Sequence, residues 1–154
     1  TRLGRLVEDG KRFEGGAPLV VRADAGAPPL RAGRWDAAVL DGPCSGTGVM
    51  RHHPEGRWRL QPGWLAANGE RLRTLAETAA RLLRPGGRLL YVTCSLEPEE
   101  NEEVVAALVA AGLCVPDPHP EDGAEGGWQR AWQPPVTESD GFFAARLRRR
   151  EDAA

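Results

Sequence analysis

Two cysteines of this 154-residue chain stand directly after apolar segments, beside residues that could assist a thiol in catalysis. Cys44 follows Asp41 at a distance of three residues, and Cys94 lies between Thr93 and Ser95. A thiolate is a strong nucleophile, and a nearby carboxylate binds cations or moves protons. A lone cysteine is more often a small buried hydrophobe, so covalent chemistry is indicated only if the fold brings the two thiols together.

Apolar strands and amphipathic helices alternate along the chain and must position these residues. Strands are predicted at residues 19–22, 36–40, 88–92, 113–115 and 142–147, and helices at residues 2–13, 65–83 and 98–111. This order is typical of an α/β domain with a mostly parallel, doubly wound sheet and an antiparallel last strand. In such a sheet the carboxyl ends of the strands meet at one edge, where ligands bind. The thiols and Asp24, which follows the first strand, are therefore expected at that edge.

The composition fits one globular domain, with 41% hydrophobic and 27% charged residues. No run of about 18 apolar residues and no signal peptide are present, so we expect a cytoplasmic protein without a membrane partner. The three cysteines are widely spaced, which favours free thiols over disulfides or a zinc site. A net charge of −2 gives no global basic field, so nucleic acid must be bound by a local patch.

Four separated motifs follow one another along the chain. They are DGPCSGTG at residues 41–48, RHHPE with a following Trp at 51–58, YVTCS with PEEN at 91–101, and DGFF at 140–143. In this order they closely resemble the Nop/Sun family of RNA cytosine-5 methyltransferases, over about residues 19–150. Gly42 stands where that family usually has alanine. The resemblance implies a Rossmann-like methyltransferase fold, S-adenosylmethionine as cofactor, and RNA, with ribosomal RNA the expected partner.

The resemblance also implies roles for single residues. Cys94 matches the nucleophile of the family, and Cys44 matches the thiol that helps to release the product. Asp41 matches a catalytic carboxylate near the cytosine ring and the methionyl amine of the cofactor. Asp24 matches the carboxylate that contacts the adenine, and Pro43 would fix the backbone before the Cys44 thiol in the cofactor site.

A long Gly- and Pro-rich loop after the Pro-Cys motif is expected to contact the substrate. His53, Pro54 and Trp58 are the residues expected to position RNA, and the target cytosine must be unstacked because its carbon 6 is shielded within a helix. His52 and His53 are adjacent and point apart in most backbones, so no metal site is expected. Asn101 either caps a helix or, by the resemblance, braces the active-site loop.

The family binds the methionine and ribose parts of its cofactor through a glycine-rich loop and an acidic residue that follow two earlier strands. Neither is supplied before Leu19. We therefore expect residues 1–150 to be a partial methyltransferase catalytic domain that lacks its N-terminal strands and glycine-rich loop, with residues 151–154 a tail. The missing N-terminal half is expected upstream, and residues 1–154 alone are expected to bind the cofactor poorly.

Three other interpretations remain open. A DNA cytosine-5 methyltransferase uses the Pro-Cys thiol as its nucleophile, and a second Thr-Cys thiol is not expected there. A non-catalytic fragment or RNA-binding remnant is favoured by the absent glycine-rich loop. A Cys-His thiol hydrolase would use Cys44 with His52 or His53, but the sequence offers no recognisable orienting acid.

Overall fold

The computed structural model describes residues 2–10, 12, 19–61, 63–119, 127–134 and 139–151. Its helices and strands are α1 (Arg2–Gly10), β1 (Trp35–Asp41), α2 (Trp64–Leu82), β2 (Leu83–Thr93), α3 (Glu102–Ala110), β3 (Cys114–Pro116), β4 (Gln129–Trp132) and β5 (Phe142–Arg149). Short 3-10 helices lie at Thr47–Val49, Pro54–Arg59 and Pro98–Glu100.

The five strands form one mixed sheet in the order β1-β2-β5-β3, with β4 paired to β5. β1 and β2 run parallel, and Asp41 at the end of β1 is aligned with Val92. The pairings of β5 with β2, β3 and β4 are antiparallel. The α/β class and the antiparallel last strand are confirmed, and the parallel part of the described sheet is the β1–β2 pair.

Helices α2 and α3 cover one face of this sheet and form the core with it. Every fourth residue of α2 from Leu72 to Ala80 is buried, as helical periodicity requires for a helix that packs on a sheet. Alternate residues of β5 are buried, because successive side chains of a strand point to opposite faces of the sheet and one face is covered by the helices. The buried apolar residues are Leu72, Ala76, Ala80, Leu83, Leu89, Tyr91, Val104, Val105, Leu108, Cys114, Phe143, Ala145 and Leu147.

The predicted strand at residues 19–22 is wrong, because the structure assigns no strand to them. Leu19 is 92% exposed, and Val21 is exposed as well. A strand is stable only when a neighbour takes up its backbone hydrogen bonds. Among the described strands β1 pairs with β2 alone, so residues 19–22 have no strand beside them.

Other boundaries differ in smaller ways. β2 begins at Leu83 rather than at Arg88, and an irregular register opposite β1 accommodates the Pro-Gly-Gly turn within it. The helix expected at residues 98–111 is a 3-10 turn followed by α3. β4 lies between the strands predicted at residues 113–115 and 142–147, where no strand was predicted. The first helix ends at Gly10, and Phe13 lies outside the described residues.

No helix in the described part of the chain is long and apolar enough to span a membrane.

Candidate active site

The two predicted thiols meet at the carboxyl edge of the sheet. Cys44 lies three residues beyond β1 and Cys94 one residue beyond β2, and their sulfur atoms are 3.3 Å apart. The contact follows from the topology, because neighbouring parallel strands end at the same edge. Both cysteines are partly buried free thiols, whereas Cys114 is buried in the core. The structure therefore places two thiols, and not one, in a single site.

The contact between the sulfurs separates the pKa values of the two thiols. A hydrogen bond from Cys94 lowers the pKa of Cys44 to about 7, helped by the backbone of Gly46 and opposed by burial. The same contact raises the pKa of Cys94, and burial, the charge of Cys44 and that of Asp41 raise it further. The contact therefore favours ionisation of Cys44 over ionisation of Cys94.

Asn101 contacts the residues on both sides of Cys94. Its side-chain oxygen accepts a hydrogen bond from the Thr93 hydroxyl at 2.5 Å, and its side-chain nitrogen donates to the Ser95 carbonyl at 3.0 Å. Asn101 is buried, so both contacts form away from water. Asn101 therefore links the two residues that flank Cys94, and it also stands directly before α3 as its N-cap residue.

Glu100 is a buried residue of the site that the sequence did not single out. Its carboxylate accepts hydrogen bonds from the Ser45 backbone N–H at 2.8 Å and the Ser45 hydroxyl at 2.6 Å. The side-chain amide of Asn68 donates a third, at 3.0 Å. The run of acidic residues around position 100 is the only hint of Glu100 in the sequence. Such a run is equally typical of the solvent-exposed first turn of a helix.

A third motif interlocks with the two cysteine loops. The Gly141 N–H donates to the Gly48 carbonyl at 2.9 Å, and the Gly48 N–H donates to the Cys94 carbonyl at 3.0 Å. A Cβ atom on Gly48 would overlap the backbone carbonyl of Gly141 and lie 2.9 Å from the Cys94 oxygen. Only glycine permits such a close approach of backbones. The Pro-Cys, Thr-Cys and Asp-Gly-Phe-Phe motifs therefore form one connected unit.

The residues predicted to bind the cofactor line one cleft of about 490 Å³ beside the end of β1. Asp24, Asp41 and Pro43 belong to its wall, and Leu40 and Leu75 add apolar surface. Asp24 and Asp41 are exposed, and Asp24 also accepts a hydrogen bond from the Gly26 N–H at 2.8 Å. Two carboxylates with an apolar wall suit a ligand that carries both cationic groups and an aromatic ring.

The residues predicted to contact RNA lie on the surface. His53 directly precedes the 3-10 helix Pro54–Arg59, which contains Pro54 and Trp58. The indole of Trp58 is 81% exposed, and the Arg57 guanidinium lies 5.4 Å from its ring centroid. An exposed indole with a cation over it offers a base a face for stacking and its phosphate a positive charge.

The two adjacent histidines have different partners. The His52 imidazole contacts the Asp140 carboxylate at 3.0 Å, and the Arg51 guanidinium contacts the same carboxylate at 2.5 Å. His53 lies 3.6 Å from Glu55. Among the described residues no three His, Cys, Asp or Glu side chains gather as metal ligands.

Comparison with known protein families identifies the family to which this chain belongs. The family described as "16S rRNA methyltransferase RsmB/F" matches residues 1–148, almost the whole chain. The chain belongs to the RsmB/F family. The resemblance to Nop/Sun methyltransferases seen in the four motifs is thereby confirmed.

Curated relatives of this RsmB/F chain carry the name "Ribosomal RNA small subunit methyltransferase B". The protein from Sodalis glossinidius is 36% identical over 154 residues, which cover 95% of this chain and 34% of the relative. The protein from Klebsiella pneumoniae is 35% identical over 156 residues, which cover 98% of this chain and 35% of the relative. The chain thus spans about a third of the length of these relatives.

Solved structures share the fold of this RsmB/F chain. The structure of PH0851 matches with a TM-score of 0.81 and 34% identity, over 95% of this chain and 34% of that protein. The structure of NSun6 from Pyrococcus horikoshii with SFG, an S-adenosylmethionine analogue, matches with a TM-score of 0.75 and 27% identity. That match covers 98% of this chain and 39% of NSun6. The Rossmann-like methyltransferase fold is confirmed by these neighbours.

Proposed function

We propose that this chain carries the paired-thiol site of an S-adenosylmethionine-dependent methyltransferase that acts on carbon 5 of cytosine in RNA, with ribosomal RNA as substrate. The observation that carries the proposal is the 3.3 Å contact between the sulfurs of Cys44 and Cys94. Membership of the RsmB/F family and relatives named for a ribosomal RNA methyltransferase support the choice of RNA over DNA.

Cys94 is the nucleophile in this proposal. Its proton first passes to the Cys44 thiolate across the contact between the sulfurs, which leaves a thiolate on Cys94. That thiolate adds to carbon 6 of cytosine, forms a C–S bond and moves the electrons of the 5,6 double bond toward carbon 5. Carbon 5 is a poor nucleophile in free cytosine and becomes enamine-like in the adduct. When bound, S-adenosylmethionine supplies an electrophilic methyl group for this carbon.

Cys44 completes the reaction by removing a proton. After it has lost to water the proton taken from Cys94, its thiolate accepts the proton on carbon 5. The electrons of that C–H bond restore the double bond, and the C–S bond to carbon 6 breaks with its electron pair returning to Cys94. Proton exchange between the sulfurs then restores the starting state, so one proton is released for each methyl group transferred.

The cleft beside β1 is the proposed cofactor site. Asp24 would contact the adenine and Asp41 the methionyl amine, and Pro43 would fix the backbone between this cleft and Cys44. All three residues line the cleft, and the two carboxylates favour a cationic sulfonium ligand.

The surface helix that follows the Cys44 loop is the proposed RNA contact. Trp58 presents an exposed indole for stacking, and His53 and Pro54 stand at the start of the same 3-10 helix. The substrate cytosine must leave its helical stack to reach Cys94, since attack at carbon 6 requires access to the face of the base.

Substitution of each thiol tests the proposal. In the intact protein, incubated with ribosomal RNA and methyl-labelled cofactor, Cys94→Ser should abolish transfer. Cys44→Ser removes the thiolate charge that raises the pKa of Cys94, so Cys94 can lose its proton to water and still form the adduct; this variant should leave RNA covalently attached, which denaturing electrophoresis detects as a protein–RNA band. Cys114→Ala is the matched control, because its thiol lies in the core, and it should retain transfer and release.

Other outcomes contradict the proposal. Loss of transfer in Cys44→Ser with transfer retained in Cys94→Ser would exchange the two roles and favour the mechanism of DNA cytosine-5 methyltransferases. Methylation of DNA but not RNA would overturn the substrate class. Tight RNA binding by the wild-type protein without any methyl transfer would support a non-catalytic RNA-binding protein.

A further inference from the structure

Glu100 is a charged side chain that is fully buried beside the Cys44 loop. Removal of a carboxylate from water is costly unless its oxygens accept strong hydrogen bonds. Here the Ser45 backbone N–H, the Ser45 hydroxyl and the Asn68 amide donate to it at 2.6 to 3.0 Å. Two of these three donors belong to the residue directly after Cys44, so the carboxylate is directed at the Pro-Cys loop.

The main chain of Glu100 is anchored as well. Its carbonyl accepts a hydrogen bond from the buried Tyr91 hydroxyl at 2.5 Å, and Tyr91 belongs to the central strand β2. Gly69 of α2 packs so closely on the Glu99 carbonyl that an added Cβ atom would overlap it. The carboxylate therefore projects from a backbone that β2 and α2 both hold in place.

We propose that Glu100 is a positioning residue for the Cys44 thiol, which it places against Cys94 through its two hydrogen bonds to Ser45. The inference rests on the proposed function, in which the two thiols exchange a proton. Asn101, the next residue, contacts Thr93 and Ser95 on either side of Cys94. Two consecutive residues before α3 thus anchor the two thiol loops separately and set the distance between the sulfurs.

The charge of Glu100 also acts on the thiol it positions. It raises the pKa of Cys44 and so opposes the lowering effect of Cys94. Among the described residues, the other ionisable groups that face this pair are Tyr91, whose pKa is raised by burial and then by the Cys44 charge, and Asp41, whose charge raises the pKa of Cys94. Removal of the Glu100 charge should therefore act on the pKa of Cys44 more directly than on that of Cys94.

Site-resolved alkylation of the intact protein tests the inference without RNA or cofactor. The wild-type protein and Glu100→Gln are treated with iodoacetamide across pH 5 to 10, and modification of Cys44 and Cys94 is followed by peptide mass spectrometry. Glu100→Gln keeps the size of the side chain but removes its charge and one acceptor atom. Looser positioning weakens the contact with Cys94, the largest cause of the lowered pKa of Cys44, and this outweighs loss of the Glu100 charge, the smallest cause; we expect the midpoint for Cys44 to move to higher pH by about 0.5 to 1 unit.

The same variant should change the relative exposure of the thiols. With Ser45 no longer anchored by both bonds, the ratio of the alkylation rate of Cys44 to that of Cys94 should change by about threefold or more. Thr74→Ala, an exposed substitution on α2, is the control and should leave both quantities at their wild-type values. A folded Glu100→Gln chain with an unchanged Cys44 midpoint and an unchanged ratio overturns the inference.

A second variant tests the positioning role of Glu100 if Glu100→Gln fails to fold. Ser45→Ala removes the hydroxyl contact and leaves the carboxylate and its bond to the Ser45 N–H in place, so the midpoint of Cys44 should rise by less than in Glu100→Gln while the ratio of rates changes by about twofold. An unchanged ratio in this variant overturns the inference. Because alkylation needs no methyl transfer, failure of the proposed enzyme activity would leave this test intact and separate.

Discussion

The sulfur of Cys44 lies 3.3 Å from the sulfur of Cys94, although 50 positions separate the two residues in the chain. Parallel pairing of β1 with β2 produces this contact, because it aligns Asp41 with Val92 and so ends both strands at one level of the sheet. A proton can pass between sulfurs at this distance without an intervening water. The contact makes the two thiols one titrating unit, in which Cys44 loses its proton more readily than Cys94.

Substitution of Cys94 should change the pH dependence of Cys44. The pKa of Cys44 is lowered to about 7, so its alkylation rate should rise between pH 6 and pH 8 as the thiolate forms. The hydrogen bond from Cys94 is the main cause, and Cys94→Ala removes it. We expect the midpoint for Cys44 to move up toward the ordinary thiol value of about 8.5.

Cys94→Ser is the matched control for that experiment, because a hydroxyl retains a hydrogen-bond donor. Its midpoint for Cys44 should lie below that of Cys94→Ala. A midpoint for Cys44 that is the same in wild type and in Cys94→Ala would show that the contact between the sulfurs does not govern the titration.

Replacement of Asn101 should destabilise the Thr-Cys loop. Asn101→Leu keeps a similar volume but leaves the Thr93 hydroxyl and the Ser95 carbonyl without their buried partner. Each unsatisfied buried group costs about 1 to 3 kcal/mol, so we expect the free energy of unfolding to fall by about 2 to 4 kcal/mol in urea titrations. Thr74→Ala, which removes an exposed hydroxyl contact on α2, should cost less; an equal loss in the two variants would contradict a stabilising role for the buried Asn101 contacts.

A methyl group at position 48 should disrupt the junction of the three motifs. Gly48→Ala places a Cβ atom against the Gly141 carbonyl and the Cys94 oxygen, and backbone atoms cannot move aside cheaply. We expect a loss of about 1 to 3 kcal/mol in the free energy of unfolding. Gly56→Ala is the control, since its nearest neighbour would be the flexible Met50 side chain at 3.8 Å. A Gly48→Ala protein as stable as Gly56→Ala would contradict the close approach.

Loss of the exposed indole should weaken RNA binding. Trp58→Ala removes a stacking surface worth about 1 to 3 kcal/mol per base, so the Kd for an unpaired RNA should rise about 5- to 150-fold in fluorescence anisotropy titrations. Trp58→Phe keeps an aromatic face and should lose less. Equal affinities for all three proteins would place the RNA contact elsewhere.

An unpaired cytosine should be the better substrate. A hairpin RNA with the target cytosine in its loop should be methylated faster than the same hairpin with that cytosine paired, because the stem must first open and unstack the base. Initial rates with methyl-labelled cofactor give the comparison. Equal rates for the paired and the loop cytosine would show that unstacking is not a requirement.

The sequence by itself determined the elements whose signals are local. Periodicity of apolar residues predicted α2 and the strands that became β1 and β5, and the Pro-Cys and Thr-Cys motifs marked the ends of β1 and β2. Because parallel strands end at one edge, the meeting of Cys44 and Cys94 could also be expected before the structure was known. The family resemblance likewise indicated Asp24, Asp41 and Pro43, which line one cleft.

The tertiary structure alone decided features that depend on distant neighbours. Residues 19–22 have the composition of a strand, but a strand exists only where another strand pairs with it, and here none is described beside them. Glu100 and the exposed Glu102 and Glu103 share one acidic run, and only the packing of the segment against α2 and β2 turns Glu100 inward to Ser45. Burial and pairing are properties of the folded chain, and no local pattern encodes which acid faces the thiols.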